Sequence, residues 1–224
     1  AGGQYIWQNT KTWDSTSSDD WTQVFDQGTD NMSVAVDSQD GVVYSAWCGT
    51  VNCNSAGFTR GVATNYGSKG WHQLDVSALP NRYPAGITVD PNDPTGATVY
   101  VAFNGFNRRF IEGPGSGIPG HVFKGHLNAK GDVTWTDVSG NLPDIPTSAI
   151  VVLDKGHLVL GTDLGVLEST DDGAHWKRVT TSSWTPGQSL PVSTVNDLHV
   201  SGNGSLYVAT YGRGLWQIPL AKLG

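Results

Sequence analysis

The chain has 224 residues, a net charge of −7 and only 15% charged residues, which excludes the basic stripe that a nucleic-acid-binding protein needs. No apolar run approaches the roughly 20 residues that a membrane-spanning helix requires. The composition instead includes 29 Gly and 9 Trp, and no segment shows a sustained helical repeat of apolar residues. We therefore predict an all-β protein of many short strands joined by tight turns.

Short apolar or alternating segments predict the strands, in chain order. Two strands, 4–8 and 21–25, come first. Three groups of four follow, each ending in a strand led by a tryptophan, and a group of three closes the series. The groups are 32–37, 42–47, 60–64 and 71–74; 85–90, 98–103, 120–124 and 135–138; 148–153, 157–162, 165–169 and 176–179; and 195–200, 205–210 and 214–218.

A four-stranded meander repeated every ~40–60 residues is typical of a β-propeller blade. We expect one propeller domain over 1–224, with blade parts at about 1–26, 31–75, 84–138, 147–180 and 192–220. The first and last parts are not complete blades, and exposed sheet edges are a liability. Two interpretations remain open. The chain is half of a seven- or eight-bladed ring whose other blades precede Ala1, or it is a compact ring of four or five blades.

The segment from Gly165 to Trp176 predicts a strand, a tight turn and the start of another strand. In this turn Asp171 can accept hydrogen bonds from the backbone, Gly173 can adopt a positive φ, and Trp176 can bury a large ring. The spacing Ser169-x-Asp171-x-Gly173-x-x-Trp176 resembles the Asp-box, or BNR repeat, of sialidase-like, xyloglucanase-like and sortilin-like secreted bacterial β-propellers. The resemblance implies a structural turn at the rim of a blade.

Other segments share this resemblance. Residues 210–216 (TYGRGLW) resemble the final repeat of secreted bacterial BNR proteins, and residues 135–143 (WTDVSGNLP) resemble the link between their blades. Residues 47–53 (WCGTVNC) and 58–65 (FTRGVATN) resemble a further segment of those proteins. The resemblance implies a secreted, extracellular protein. It predicts the fold more than the function, since propellers host unrelated activities.

The two cysteines, Cys48 and Cys53, allow two interpretations. A zinc site would need more ligands, and no histidine lies within ten residues on either side. A short-range disulfide bond that closes a surface loop is the interpretation we favour, and it suits a protein secreted into an oxidising space.

Two long loops, 48–59 and 104–120, are expected on the same face of the propeller, and such loops often carry function. Aromatic rings beside arginine and asparagine side chains suit sugar stacking and hydroxyl recognition. The alternative is a small satellite core that caps the insertion. The candidate ligand-binding residues are Phe106, Arg108, Arg109, Phe110 and Glu112.

Catalysis is not expected from this chain alone. A sialidase would need an arginine cluster and a paired Tyr and Glu, and Arg82-Tyr83-Pro84 is only a faint echo of the sialidase signature. A glycosidase needs two carboxylates roughly 5–10 Å apart, and the sequence singles out no pair. The acids that could face the loop side are Asp30, Glu112, Asp144 and Asp163.

No cofactor or bound metal is predicted. His121 and His126 are five residues apart and so point to opposite faces of a strand, which disfavours a shared metal site. We expect these two histidines and His157 to be packed or surface residues. A structural calcium ion would suit the loop 90–93, although a proline-rich turn explains that segment equally well.

These observations predict a secreted propeller that binds an extracellular glycan, or another ligand, through the loops 48–59 and 104–120. One alternative is a glycoside hydrolase of sialidase or xyloglucanase type, or a fragment of one. The other is a scaffold that binds an extracellular protein. Association with missing blades or with a second chain is a further expectation, because of the open edges.

Overall fold

The structure of the protein, a computed structural model, describes residues 4–28, 31–36, 41–48, 60–107, 117–154, 156–180 and 190–224. The strands are β1 (Tyr5–Asn9), β2 (Trp21–Asp26), β3 (Asn31–Val36), β4 (Val43–Cys48), β5 (Arg60–Thr64), β6 (His72–Gln73), β7 (Tyr83–Val89), β8 (Thr98–Asn104), β9 (Val122–Leu127), β10 (Val133–Asp137), β11 (Thr147–Asp154), β12 (His157–Thr162), β13 (Gly165–Ser169), β14 (Lys177–Arg178), β15 (Val195–Ser201), β16 (Ser205–Thr210) and β17 (Gly214–Pro219).

The strands form five antiparallel sheets in chain order. Strands β1 and β2 form a two-stranded sheet, named the first sheet below. Blades 1 to 4 are β3–β6, β7–β10, β11–β14 and the three-stranded β15–β17. The innermost strands of consecutive blades pack against each other and line a central cavity of about 730 Å³. The predicted all-β propeller is thus confirmed, as an arrangement of four blades.

The hydrophobic core is divided into three clusters, one between each pair of neighbouring blades. Strand β8 shows how the sequence builds them, because successive side chains of a strand point to opposite faces. Val99, Val101 and Phe103 enter the cluster shared with blade 1. Tyr100 and Ala102 enter the cluster shared with blade 3. A central blade is therefore buried on both faces, which explains its nearly continuous apolar strands.

The tryptophans that lead the fourth strands tie each blade to what precedes it. The indole N–H of Trp135 donates to the carbonyl of Asp75 at 2.7 Å, and that of Trp176 donates to the carbonyl of Val138 at 3.0 Å. The ring of Trp71 stacks on Phe25 of the first sheet, with 5.3 Å between ring centroids. The tryptophan spacing in the sequence therefore corresponds to a repeated contact between sheets.

Helical structure within the described residues is limited to three 3₁₀ turns, Thr12–Asp14, Ser18–Asp20 and Leu220–Lys222. A search of the described residues for helices long and apolar enough to cross a membrane found none.

Two faces of the propeller differ in their connections. The loops β4–β5 and β8–β9 and the links between blades leave the sheets at one end, named the loop face below. The turns β5–β6, β9–β10 and β13–β14 leave at the opposite end. This separation follows from the antiparallel meander, because alternate connections of a meander lie at opposite ends of its strands.

Candidate functional site

The two loops predicted to bind a ligand lie only partly within the described residues. Residues 49–59 of the β4–β5 loop and 108–116 of the β8–β9 loop fall outside them. Phe106 is described, and it is 54% exposed. The other predicted ligand-binding residues, Arg108, Arg109, Phe110 and Glu112, lie outside the described residues. Cys48 is buried at the end of β4, but Cys53 lies outside them, so the disulfide bond stays a prediction.

A buried polar cluster lies at the base of the β8–β9 loop. It consists of Arg82, which precedes β7, His121, which precedes β9, and Asp144, from the link between β10 and β11. Arg82 is 4% exposed and His121 is 2% exposed. A nitrogen of the Arg82 guanidinium lies 3.1 Å from His121 Nδ1, and His121 Nε2 lies 3.0 Å from a carboxylate oxygen of Asp144.

These contacts determine which nitrogen of His121 carries the proton. A guanidinium can only donate hydrogen bonds, so Nδ1 must accept from Arg82. Nε2 then carries the proton and donates a hydrogen bond to Asp144. Burial and the positive charge of Arg82 lower the pKa of His121 below its ordinary value of 6.5. The imidazole is therefore neutral at pH 7 and links a buried cation to a carboxylate at the surface.

Arg82 also holds the two ends of the loop. Its guanidinium donates to the carbonyl of Gly105, where the loop begins, at 3.3 Å, and to the carbonyl of Gly120, where it ends. Gly120 has a φ of 95°, and a Cβ added there would lie 2.5 Å from a carboxylate oxygen of Asp137. The positive φ thus favours glycine at this end of the loop, and a larger residue would also displace the Asp137 carboxylate.

Two exposed side chains, those of Phe106 and Asp144, lie where the β8–β9 loop begins. The ring of Phe106 is exposed, and the side chain of Asp144 is 43% exposed. The backbone N–H of Asn107 donates to Asp144 at 2.8 Å, which places these two residues side by side. The side-chain oxygen of Asn107 is buried and has no hydrogen-bond partner in the described part of the chain. The accessible surface of the site therefore combines an aromatic ring with a carboxylate that can accept hydrogen bonds.

Lowering the pH from 7 to 5 is expected to destabilise the protein through His121. Its pKa in the folded protein lies below the ordinary 6.5, so the unfolded chain binds the proton first as the pH falls. The contribution of neutral His121 to the unfolding free energy is complete above about pH 6.5. It is lost as the pH falls below 6.5 toward the lower pKa of the folded state. In urea titrations at pH 7, 6 and 5, the unfolding free energy of the unaltered protein should fall more steeply than that of His121→Gln. If the unfolding free energies of the two proteins fell in parallel with pH, this expectation would be contradicted.

The other acids named from the sequence do not form a recognisable catalytic pair. Asp30 and Glu112 lie outside the described residues, and Asp163 is exposed in the turn between β12 and β13. One oxygen of Asp144 accepts from both His121 and Asn107. The structure therefore gives no catalytic pair among the two of these acids that it describes, Asp144 and Asp163.

No group of three His, Cys, Asp or Glu side chains that could hold a metal ion occurs in the described part of the chain. His121 bonds within the buried cluster, and His126 instead lies 3.1 Å from Thr98 Oγ1. In the loop predicted to suit calcium, Asp90 accepts from Asn92, and Asp93 accepts from Thr95 and Thr98. These carboxylates are already used by their own turn and strand.

The turn between β13 and β14 lies on the opposite face and is occupied by its own hydrogen bonds. Asp171 accepts from the backbone N–H of His175 at 2.8 Å, and Ser169 Oγ accepts from that of Gly173 at 2.9 Å. The hydrogen bonds from His175, followed by the one from Ser169, lower the pKa of Asp171 to about 2. Gly173 has a φ of 84°, and an added Cβ would lie 2.3 Å from the carbonyl oxygen of Val138. The turn thus packs directly on the preceding blade and leaves little for a ligand.

Sequence reasoning missed the cluster of Arg82, His121 and Asp144. It related Arg82 only to a faint echo of the sialidase signature, and it treated His121 as an ordinary packed or surface histidine. One signal was available in the sequence. An arginine directly before a buried strand must find hydrogen-bond acceptors when that end of the strand is covered. The sequence does not indicate which acceptors those are.

No protein-family model matches the chain, and no similar curated protein was found. Among solved structures, the GH74 xyloglucanase from Xanthomonas campestris is 15% identical with a TM-score of 0.58, over 90% of this chain and 32% of that one. PorZ, a bacterial surface component of the type-IX secretion system of Porphyromonas gingivalis, is 13% identical with a TM-score of 0.59, over 97% of this chain and 29% of that one. YCF48 bound to D1 peptide is 9% identical with a TM-score of 0.52, over 88% of this chain and 53% of that one.

The chain therefore spans about a third of the length of the xyloglucanase and PorZ structures and about half of the YCF48 structure. Likeness at such low identity shows the propeller fold alone. Membership of the BNR family stays a prediction.

Proposed function

We propose that this protein is an extracellular binding propeller that recognises a glycan at the mouth of the β8–β9 loop. The observation that carries the proposal is the exposed ring of Phe106 close to the partly exposed carboxylate of Asp144, which the backbone N–H of Asn107 holds at the start of the loop. An aromatic ring can stack on the apolar face of a sugar, and the oxygens can accept hydrogen bonds from its hydroxyl groups. A small number of placed polar groups around an apolar surface is the usual composition of a small-molecule site.

The buried cluster supports binding by preorganising this site. Arg82 bonds to both ends of the loop, and His121 orients the carboxylate of Asp144. Because these groups are already held before a ligand arrives, less conformational freedom is lost on binding. The loop therefore has a preorganised base.

Binding is favoured over hydrolysis because of how Asp144 is used. A glycosidase acid and its partner carboxylate must face each other across the scissile bond. Asp144 instead receives hydrogen bonds from His121 and Asn107, and no second described acid is known to face it. The xyloglucanase neighbour has a similar fold, and this likeness carries no activity over to the chain. An extracellular location fits PorZ, a surface component, and the family resemblance of the sequence.

The experiment that tests the function measures binding and hydrolysis together. Xyloglucan is the first probe, followed by an array of neutral and anionic oligosaccharides, with the D1 peptide as a non-sugar probe. The expected result is saturable glycan binding without release of reducing sugar. Release of reducing sugar that disappears in Asp144→Asn would instead indicate a hydrolase. Binding only to the peptide would indicate the protein-interaction alternative.

Phe106→Ala is expected to weaken binding of the glycan identified in that array about tenfold, since an aromatic anchor at the centre of a site contributes on the order of 1.4 kcal/mol or more. Isothermal titration calorimetry provides the measurement. Leu164→Ala is the matched control, because Leu164 is 47% exposed on a different blade and should leave the affinity unchanged. The combined variant Arg108→Ala, Arg109→Ala and Phe110→Ala tests the rest of the loop. Unchanged affinity in both Phe106→Ala and this variant would exclude the loop as the binding site.

A further inference from the structure

The buried ring of His121 lies between two charged side chains at the base of the β8–β9 loop. Arg82 comes from the segment before β7, and Asp144 comes from the link between β10 and β11. Among the described residues, these are the charged side chains that come within hydrogen-bond distance of the ring. From β8 the ring faces the backbone carbonyl of Phe103, whose oxygen lies 3.4 Å from Nδ1. A change of charge on His121 therefore acts first on Arg82 and Asp144.

The neighbouring strands and links hold the backbone of His121. Its N–H donates to the hydroxyl of Ser139 at 2.7 Å, and Thr147 Oγ1 donates to its carbonyl at 3.4 Å. The carboxylate of Asp137, at the end of β10, lies beside Gly120 and accepts from the backbone N–H of Ser139. The backbone of His121 is thus fixed from two elements, while its ring is held by groups that respond to its charge.

The neutral ring connects both parts of the proposed binding site. The nitrogen of Arg82 that donates to His121 Nδ1 also donates to the carbonyl of Gly105. Gly105 directly precedes Phe106, the exposed ring of the site. On its other side, Nε2 of the imidazole donates to the carboxylate of Asp144. One neutral side chain therefore supports the aromatic ring through Arg82 and the carboxylate directly.

Protonation of His121 removes the acceptor that Arg82 uses. Both ring nitrogens of an imidazolium are donors, and a guanidinium can only donate. Two positive groups then face each other at 3.1 Å in a buried site, where their repulsion is poorly screened. The carbonyl of Phe103 offers Nδ1 a different acceptor, so the ring can leave Arg82 without losing a hydrogen bond. The contact of Arg82 with Gly105 is made by the same nitrogen and is weakened with it.

The same proton changes how Asp144 can meet a sugar. A hydrogen bond from an imidazolium is stronger than one from a neutral imidazole, because the donor is charged. The oxygen of Asp144 that accepts it also accepts from the backbone N–H of Asn107. Part of the negative charge of the carboxylate is then neutralised, which leaves a weaker acceptor for sugar hydroxyl groups. Both parts of the site thus become less suited to binding.

We propose that the site releases its glycan on acidification, because protonation of His121 separates it from Arg82 and withdraws the support at Gly105. The inference rests on the proposed glycan function and adds its regulation. Burial and the charge of Arg82 lower the pKa of His121 below 6.5, which places the change in the acidic range. A glycan that prefers the neutral ring displaces the proton. Affinity is therefore complete above about pH 6.5 and falls as the pH decreases below it.

Isothermal titration calorimetry of the unaltered protein at pH 7 and pH 5 tests the release. The probe is a xyloglucan oligosaccharide, replaced by the tightest-binding oligosaccharide of the array if xyloglucan does not bind at pH 7. The affinity is expected to fall about tenfold from pH 7 to pH 5, the effect of roughly one buried hydrogen bond. Circular dichroism at both pH values establishes that the protein stays folded.

The variant His121→Gln separates this proton from all others. Its amide can accept from Arg82 and donate to Asp144, but it does not titrate. Whatever its affinity at pH 7, the affinities of this variant at pH 7 and pH 5 should agree within about twofold. His199→Gln is the matched control, because His199 is an exposed histidine on β15 and its replacement should preserve the tenfold loss.

Amide hydrogen exchange followed by NMR gives a second readout that needs no sugar. The comparison is between the unaltered protein and His121→Gln at the same pH, which cancels the intrinsic effect of pH on exchange. For the amides of Gly105 and Asn107, the ratio of the two rates should rise about tenfold between pH 7 and pH 5, because the start of the loop loses its hold on Arg82. A ratio that does not change with pH would contradict the mechanism.

The outcomes distinguish this inference from the proposed function. If the unaltered protein binds no oligosaccharide at pH 7, the proposed function fails and the inference fails with it. If binding at pH 7 is followed by no loss at pH 5, or by an equal loss in His121→Gln, the inference alone is wrong. If that variant does not fold, calorimetry of the unaltered protein in two buffers of different ionisation enthalpy decides. Binding between pH 5 and 6.5 should release protons, and binding without proton release would exclude the proposal.

Discussion

Replacing Arg82 with methionine is expected to lower the free energy of unfolding by about 3 kcal/mol. Methionine fills much of the same volume and removes the desolvation cost of a buried guanidinium, which favours the variant. Against this, His121 Nδ1 and the carbonyls of Gly105 and Gly120 lose their donor in a nearly water-free site. Each buried acceptor left unsatisfied costs about 1–3 kcal/mol, so the loss outweighs the gain. Urea denaturation at pH 7 measures the difference.

Arg178→Met is the matched control for this experiment. Arg178 lies on β14 with its side chain exposed, and its replacement should change stability by no more than about 0.5 kcal/mol. Arg82→Met should also weaken glycan binding, because both ends of the β8–β9 loop lose their anchor. Arg82→Lys is expected to be intermediate, since an ammonium group keeps the charge but cannot reach all three acceptors in one plane. Equal stability of Arg82→Met and Arg178→Met would exclude a structural role for the buried cluster.

The fold could be predicted from the sequence because its rules are local and repeated. A strand buried on both faces shows a continuous apolar run, as in Thr98–Asn104, and each blade offers several such runs. The tryptophans at 71, 135 and 176 then set the period of the repeat. Predicted and observed strand bounds differ by a few residues, because short fourth strands such as His72–Gln73 have little sequence of their own.

The candidate site could be predicted only in outline. Loop length and aromatic content indicated the β8–β9 loop, and Phe106 is indeed exposed there. The cluster below it joins residues 39 and 23 positions apart, from three separate connections. No periodicity relates such residues, because connections follow the packing of the blades rather than a repeating backbone geometry. The same reason explains why the sequence does not connect Arg82 with His121.

Replacing Trp176 with alanine is expected to cost about 4 kcal/mol of unfolding free energy, the largest effect of any substitution considered for this protein. The ring is 5% exposed and belongs to the cluster between blades 2 and 3. Its indole N–H donates to the carbonyl of Val138. Its backbone N–H donates to the side-chain oxygen of Asn141, and its carbonyl accepts from the side-chain nitrogen of the same residue. The substitution therefore removes apolar contacts and one hydrogen bond across a blade interface at once. Chemical denaturation followed by far-UV circular dichroism measures the loss.

Three further tryptophan variants separate packing from the hydrogen bond. Trp176→Phe keeps most of the ring and should cost about 1 kcal/mol for the lost donor, plus a smaller packing defect. Trp135→Ala should cost less than Trp176→Ala, because Trp135 is only half-buried although it donates to Asp75 in the same way. Trp13→Ala is the matched control at 99% exposure and should stay within about 0.5 kcal/mol of the unaltered protein. If Trp135→Ala and Trp176→Ala were as harmless as Trp13→Ala, the tryptophans that lead the fourth strands would not be what joins the blades.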